Sequence, residues 1–286
     1  MTIFCPAKIN VFLDVTKKYK NNFHRIESVF FETNLADELI YNEIPSHECI
    51  IKGNSSINSE DNLIFKAYEA FFNNTKCKRI GIEVEFKKNI PLGGGLGGGS
   101  SDAAGMLKIL NNICKTKLSS KKLKEIAAQI GSDVPYFIDG KTQIVSGTGS
   151  ITRKINSKIN FYSLMVFPEI KISTPSAYNW LDEDQVISTS FENEIKFKKL
   201  ITAIENGNYD LFVHSLYNKF EKSIFSRFNE LHFIKNEIIE SGADNALMSG
   251  SGSTILGFFN SFEKMQKSVE ILRKKGYKLS TIETQP

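Results

Sequence analysis

The chain has 286 residues, 41% of them hydrophobic and 24% charged, with a formal charge of +4; this is the balance of a globular protein with a buried core, neither disordered nor membrane-embedded. No apolar stretch approaches the roughly 20 residues that span a bilayer, and Met1–Pro6 has no basic region leading into an apolar run, so a cytoplasmic protein without a membrane partner is expected. Lysines fall in scattered pairs such as Lys17-Lys18 and Lys121-Lys122, not in the stripe that nucleic acid requires, and four separated cysteines without a Cys-x-x-Cys predict reduced thiols and no zinc site or disulfide framework.

In chain order, Val11–Val15 and Ile26–Thr33 are β-rich runs, and the alternation from Ile80 to Phe86 predicts a half-buried strand. Leu63, Ile64, Ala67, Tyr68, Phe71 and Phe72 recur at helical spacing behind Asp61-Asn62, which can cap the helix start. After the glycine-rich run 91–101, Ala103, Ala104, Met106, Leu107, Ile109 and Leu110 predict a helix whose first turn contains Ser100, Ser101 and Asp102. A second helix is expected from Ser119 or Ser120 through Leu123, Ile126 and Ala127 to Ile130, with Gly131 as its terminator.

The pattern restarts near residue 156 with a strand at Ser163–Phe167 and helices near Ile195–Ile204, Tyr209–Tyr217 and Phe228–Ile239. Strands at Ala246–Met248 and Thr254–Phe259, a helix over Phe262–Leu272 and a strand near Tyr277–Ile282 complete the chain. The fold class expected is α+β in two lobes, 1–155 and 156–286, with a cleft between them.

Six glycines in the seven positions 93–99 contribute no side chain to a core and cost backbone entropy, so something must approach this backbone closely. A loop of this kind at a helix N-terminus aims N–H groups and the positive end of the helix dipole at one point, which holds phosphate. A flexible linker fits poorly between a strand and a helix. Gly93, Gly95 and Gly98 satisfy Gly-x-Gly-x-x-Gly, but the acidic residue that a dinucleotide fold wants about 20 residues on is replaced by the basic stretch Lys117–Lys122. A P-loop would continue Gly-Lys-Ser/Thr, whereas Ser100 follows Gly99. The reacting lysine must then come from elsewhere, and Lys8 is the candidate. Asp133, between Gly131-Ser132 and Val134-Pro135, sits at a fixed loop position that suits a base.

Three segments, Pro6–Asn10, Pro91–Ala104 and Ala246–Thr254, resemble in order those of the GHMP kinases, named for galactokinase, homoserine kinase, mevalonate kinase and phosphomevalonate kinase. Phe23-His24, Asn62-Leu63, Gly131–Phe137 and Ser173-Thr174-Pro175 resemble the members of that family that act on a cytidyl sugar-alcohol.

The resemblance implies two α/β lobes, ATP with Mg2+ as cofactors, and a small-molecule substrate phosphorylated on a hydroxyl. It implies Asp133 as the catalytic base and Lys8 as its partner. Pro91, Leu92, Gly93, Gly94, Gly95, Leu96, Gly97, Gly98, Gly99, Ser100 and Ser101 would hold the ATP phosphates. Asn10 and Thr174 would hold the substrate, His24 would read the pyrimidine edge, and Phe23 and Tyr178 would sandwich the base. No residue is singled out as a metal ligand, and His47, His214 and His232 show no metal spacing. Where the family reads Arg-x-Asp-Gly-Tyr-His, this chain has Lys18-Tyr-Lys-Asn-Asn22-Phe23-His24, which keeps the aromatic face but loses a hydroxyl and changes the turn.

The segment Ser249–Ser253 would meet substrate or phosphate in the cleft, or serve as a structural hairpin. Competing readings are another GHMP member, such as a homoserine or mevalonate kinase, and a non-catalytic nucleotide- or sugar-binding regulator. A monomer or weak homodimer is expected.

Overall fold

A computed structural model describes residues 1–53 and 62–283. β1 (Thr2–Lys18) and β2 (His24–Ile44) form a long antiparallel hairpin, and β3 (Cys49–Gly53) runs parallel to β4 (Gly81–Lys87), which pairs with β2. Helix α1 (Leu63–Asn73) lies between β3 and β4 in sequence. It is followed after β4 by α2 (Gly98–Ile113), α3 (Ser120–Ala127), α4 (Val134–Asp139) and the hairpin of β5 (Gln143–Gly147) and β6 (Ile151–Lys154).

The second half brings β7 (Tyr162–Val166), α5 (Thr174–Glu183), α6 (Phe191–Asn206), α7 (Tyr209–His214), β8 (Tyr217–Asn218), α8 (Phe220–Phe225) and α9 (Asn229–Glu240). It closes with β9 (Asn245–Met248), β10 (Ile255–Phe259), α10 (Phe262–Lys274) and β11 (Leu279–Glu283). Among the described residues one sheet runs β3-β4-β2-β1-β8, with β5 and β6 added on β2, and the other runs β11-β7-β10-β9. This is the α+β fold expected. No helix among the described residues is long and apolar enough to cross a membrane.

Strand β1 is buried on both faces and serves two cores. Ala7, Ile9 and Val11 pack with Leu200 and Phe212 of α6 and α7, whereas Leu13 and Val15 pack with α1 and α2 residues such as Phe71 and Leu107. Register shifts at Pro6/Lys8 and Asn10/Phe12 make the change of face possible. Between those bulges the alternation of a strand sends Lys8 and Asn10 away from Ala7, Ile9 and Val11, toward the helix that follows the glycine loop.

Several elements differ from expectation, each for a local reason. Asn62 caps α1 by accepting from the Ile64 N–H at 2.9 Å, while Asp61 lies outside the described residues. Helix α2 begins at Gly98, earlier than expected, because Gly97 in the left-handed region (φ +72°) ends the loop and its carbonyl receives the Ser101 N–H. Helix α3 stops at Ala127, and a turn in which the Ile130 and Gly131 N–H groups both reach the Ala127 carbonyl replaces the termination expected at Gly131. The helix expected over Tyr209–Tyr217 ends at His214, since Tyr217 and Asn218 pair with Phe12 and Leu13 as β8. The Asn218 amide fixes that turn by donating to the Met248 and Gly250 carbonyls at 2.6 and 2.8 Å.

Candidate active site

The glycine loop, β1 and the segment after β9 meet around a cavity of about 310 Å³. Backbone contacts join them. The Lys8 N–H donates to the Leu96 carbonyl at 3.0 Å, which ties the strand to the loop. The Ser249 hydroxyl donates to the Gly95 carbonyl and accepts from the Asn10 N–H, both at 3.4 Å, which draws the third segment onto the first two. Gly95 is required twice over: its φ is +75°, and a Cβ there would run into the Ser249 carbonyl. Residues 91–100 line the cavity with Lys8, Asn10, Asp133, Thr174, Tyr178, Gly250 and Ser251. Ser101 does not; one step further round α2, it is buried at 2% exposure with no partner for its hydroxyl among the described residues.

Lys8 is 4% exposed, and its ammonium donates to the Asn10 side-chain oxygen at 2.6 Å, lies over the Phe30 ring at 4.6 Å and stands 3.8 Å from the Asp133 carboxylate. Burial pulls its pKa below the ordinary lysine value, and Asp133 opposes that pull. Asn10 is fixed in turn, its amide donating to the Ser28 hydroxyl at 3.1 Å. Asp133 occupies the position before α4, whose first turn holds Pro135, and its carboxylate makes no capping bond to the helix, so it remains available to the cavity.

On the far side of the cleft, Thr174 opens α5 and its hydroxyl is 3.2 Å from that of Ser251. The structure does not bring Phe23 against Tyr178. The turn at the end of the β1–β2 hairpin, with Asn22 in the left-handed region (φ +63°) and the Tyr19 N–H donating to the Phe23 carbonyl, leaves Phe23 55% exposed. His24 takes the ring face instead, stacked on Tyr178 with centroids 4.6 Å apart and planes 20° from parallel. Neither Phe23 nor His24 lines the cavity that holds Lys8 and Asp133.

Sequence reasoning missed an ionic anchor under the loop. The Lys88 ammonium is bonded to the carboxylates of Asp37 and Asp102, and Asp37 also accepts the N–H groups of Asn89 and Ile90 at 2.6 and 2.9 Å. Burial pushes the Asp102 carboxyl up, Lys88 opposes, Asp37 adds to the rise, and the result is about 7. Lys88 and Asp102 flank the glycine run and could have been flagged by position; Asp37 joins them only through the strand register.

A backbone cradle for phosphate, with an ammonium and a carboxylate beside it, can support phosphoryl transfer to a hydroxyl, a reaction that asks mainly for positioning and charge stabilisation. Residues 62–141 match the family described as GHMP kinases N terminal domain, and residues 200–278 match GHMP kinases C terminal. A 4-diphosphocytidyl-2-C-methyl-D-erythritol kinase of Thermodesulfovibrio yellowstonii is 38% identical over 97% of this chain and 95% of its own. One of the same name from Syntrophomonas wolfei is 35% identical over 93% and 91%.

Among solved structures, a 4-(cytidine 5'-diphospho)-2C-methyl-D-erythritol kinase superimposes with a TM-score of 0.82 at 25% identity, covering 99% of this chain and 98% of that one. A homoserine kinase from Cytophaga hutchinsonii shares the fold, with a TM-score of 0.78 at 18% identity over 100% and 95% of the two chains. The chain belongs to the GHMP kinase family. It is a kinase with an alcohol acceptor, and ATP is the phosphate donor.

Proposed function

We propose that the chain transfers the γ-phosphoryl group of ATP to the 2-hydroxyl of 4-diphosphocytidyl-2-C-methyl-D-erythritol, on the non-mevalonate route to isoprenoid precursors. The observation that carries this reading is the Lys8–Asp133 pair, 3.8 Å apart on the wall that also holds the glycine loop, in a chain 38% identical to a relative named for that substrate. Backbone N–H groups of the loop and the start of α2 receive the ATP phosphates. Asp133 orients the acceptor hydroxyl and takes its proton as the O–P bond forms. Lys8, dry and held by Asn10, stabilises the developing negative charge more strongly than a hydrated ammonium would. Asn10 and Thr174 orient the sugar-alcohol, and His24 and Tyr178 serve the base.

Among the described residues no group of three His, Cys, Asp or Glu side chains could cage a metal, while Asp133 and Ser100 both line the cavity. That donor set fits a magnesium ion carried on the phosphates and touched by one or two side chains. When bound, the ion would screen charge on the transferring group.

An Asp133→Ala variant tests the reading. Loss of the base should lower kcat on the order of a hundredfold or more with ATP affinity unchanged. Activity within about threefold of wild type would remove Asp133 from the mechanism.

A further inference from the structure

At the entrance to the cleft, one carboxylate ties the two halves of the chain together. Asp182 of α5 accepts from the Lys18 ammonium through Oδ2 at 2.6 Å and bonds His24 Nε2 through Oδ1 at 2.9 Å. Lys18 and His24 face each other across the end of the β1–β2 hairpin, so the carboxylate closes that pair from the other lobe. Tyr178 lies one helical turn before Asp182 on the same face of α5 and carries the His24 ring flat on its own. His24 is 8% exposed. Burial works against the Asp182 charge, but the hydrogen bonds from Lys18 and His24 hold its carboxyl below the ordinary aspartate range.

An ionised carboxylate only accepts hydrogen bonds, so the proton between His24 and Asp182 must sit on Nε2. A neutral imidazole carries one N–H, and Nδ1 is then an acceptor. Among the described residues no hydrogen bond reaches Nδ1. Lys18 holds the second oxygen, which favours the carboxylate orientation that faces the ring.

We propose that Asp182 is a positioning residue for base recognition: by accepting the hydrogen bond from Nε2–H it presents Nδ1 of the neutral His24 ring as an acceptor, which suits the 4-amino group of cytosine and opposes the 4-oxo group of uracil. The proposal rests on the cytidyl reading above. An acceptor facing a carbonyl oxygen sets two lone pairs against each other, whereas an acceptor facing an amino group gains a hydrogen bond, and leaving a polar group unpaired is the larger effect. Selectivity is thus set by a residue that does not touch the base.

The test uses the full chain. In steady-state assays with ATP, Asp182→Asn, whose amide can accept from or donate to the ring, is compared with wild type on the cytidyl sugar-alcohol diphosphate and its uridyl counterpart. The variant should lose about tenfold of its preference for the cytidyl substrate, all of it in substrate KM, with kcat and the KM for ATP within about twofold of wild type. An unchanged preference overturns the proposal. Separately, 15N-histidine spectra of wild type at pH 8, with the His24 signals assigned by a His24→Gln variant, should show the Nε2–H tautomer. The Nδ1–H tautomer overturns the proposal whether or not Asp182→Asn folds. If wild type turns over neither substrate, the cytidyl reading fails, and the tautomer still decides the role of Asp182.

Discussion

The proposed phosphate side of the cleft is consecutive backbone, whereas the proposed base side is assembled from side chains that are far apart in the chain. Gly93–Gly99 form one local conformation, with positive φ at Gly93, Gly95 and Gly97 leading directly into α2. Lys18 and Asp182, by contrast, meet across 164 positions, one at the end of the β1–β2 hairpin and the other on α5. The contrast teaches where each kind of function resides. A phosphate cradle is specified by conformations that few residues other than glycine adopt, so it is intolerant of a single methyl group. A base site assembled from separate elements, as proposed here, is tolerant of single changes but depends on several side chains being held together.

The largest effect that would sharpen this comparison is at Gly95. In Gly95→Ala the added Cβ meets the Ser249 carbonyl at a φ that alanine disfavours, so kcat/KM for ATP should fall on the order of a hundredfold. Near-normal ATP kinetics would show that the loop is not the cradle.

Base-side changes should be milder and unequal. Tyr178→Ala should raise the KM for the cytidyl substrate about three- to tenfold, because it removes the ring on which His24 lies. Phe23→Ala, at an exposed ring without contact to Tyr178 among the described residues, should change it by less than about twofold. Equal effects at the two positions would restore the sandwich that the sequence led one to expect and break the arrangement described here.

The smallest effect concerns the anchor beneath the loop. Asp102 titrates near 7 in the folded protein, above the roughly 3.9 of an unfolded aspartate. The native state therefore keeps a proton that the unfolded chain releases, and the Asp102 contribution to stability falls as pH rises between about 4 and 7. Asp102→Asn should remove this slope, so its melting temperature should gain on that of wild type across the window. Parallel curves would place the titration elsewhere.

The phosphate side was legible in the sequence because its signal is contiguous: the glycines, Ser100 and the apolar spacing of α2 all sit in one stretch. Lys8 and Asn10 were legible as a pair two apart on a strand, but the two bulges that turn them toward the loop were not, since β1 is buried on both faces and shows no alternation for a bulge to interrupt. Asp133 was read as a loop aspartate, and the helix directly after it was missed because α4 is only six residues long. Helix α5 was also missed, although Ser173 caps it and Pro175 lies in its first turn, and with it went the spacing that places Asp182 beneath Tyr178. Asp37 is unremarkable in sequence and becomes an anchor only when β2 brings it beside Lys88.

The most direct test of the central claim is a substrate comparison with the purified protein and ATP, offering 4-diphosphocytidyl-2-C-methyl-D-erythritol, mevalonate and homoserine, with the product read by phosphorus NMR. A new phosphomonoester on the 2-hydroxyl of the cytidyl compound, with the other two left unchanged, is the predicted result. Turnover of mevalonate or homoserine without turnover of the cytidyl compound would contradict it.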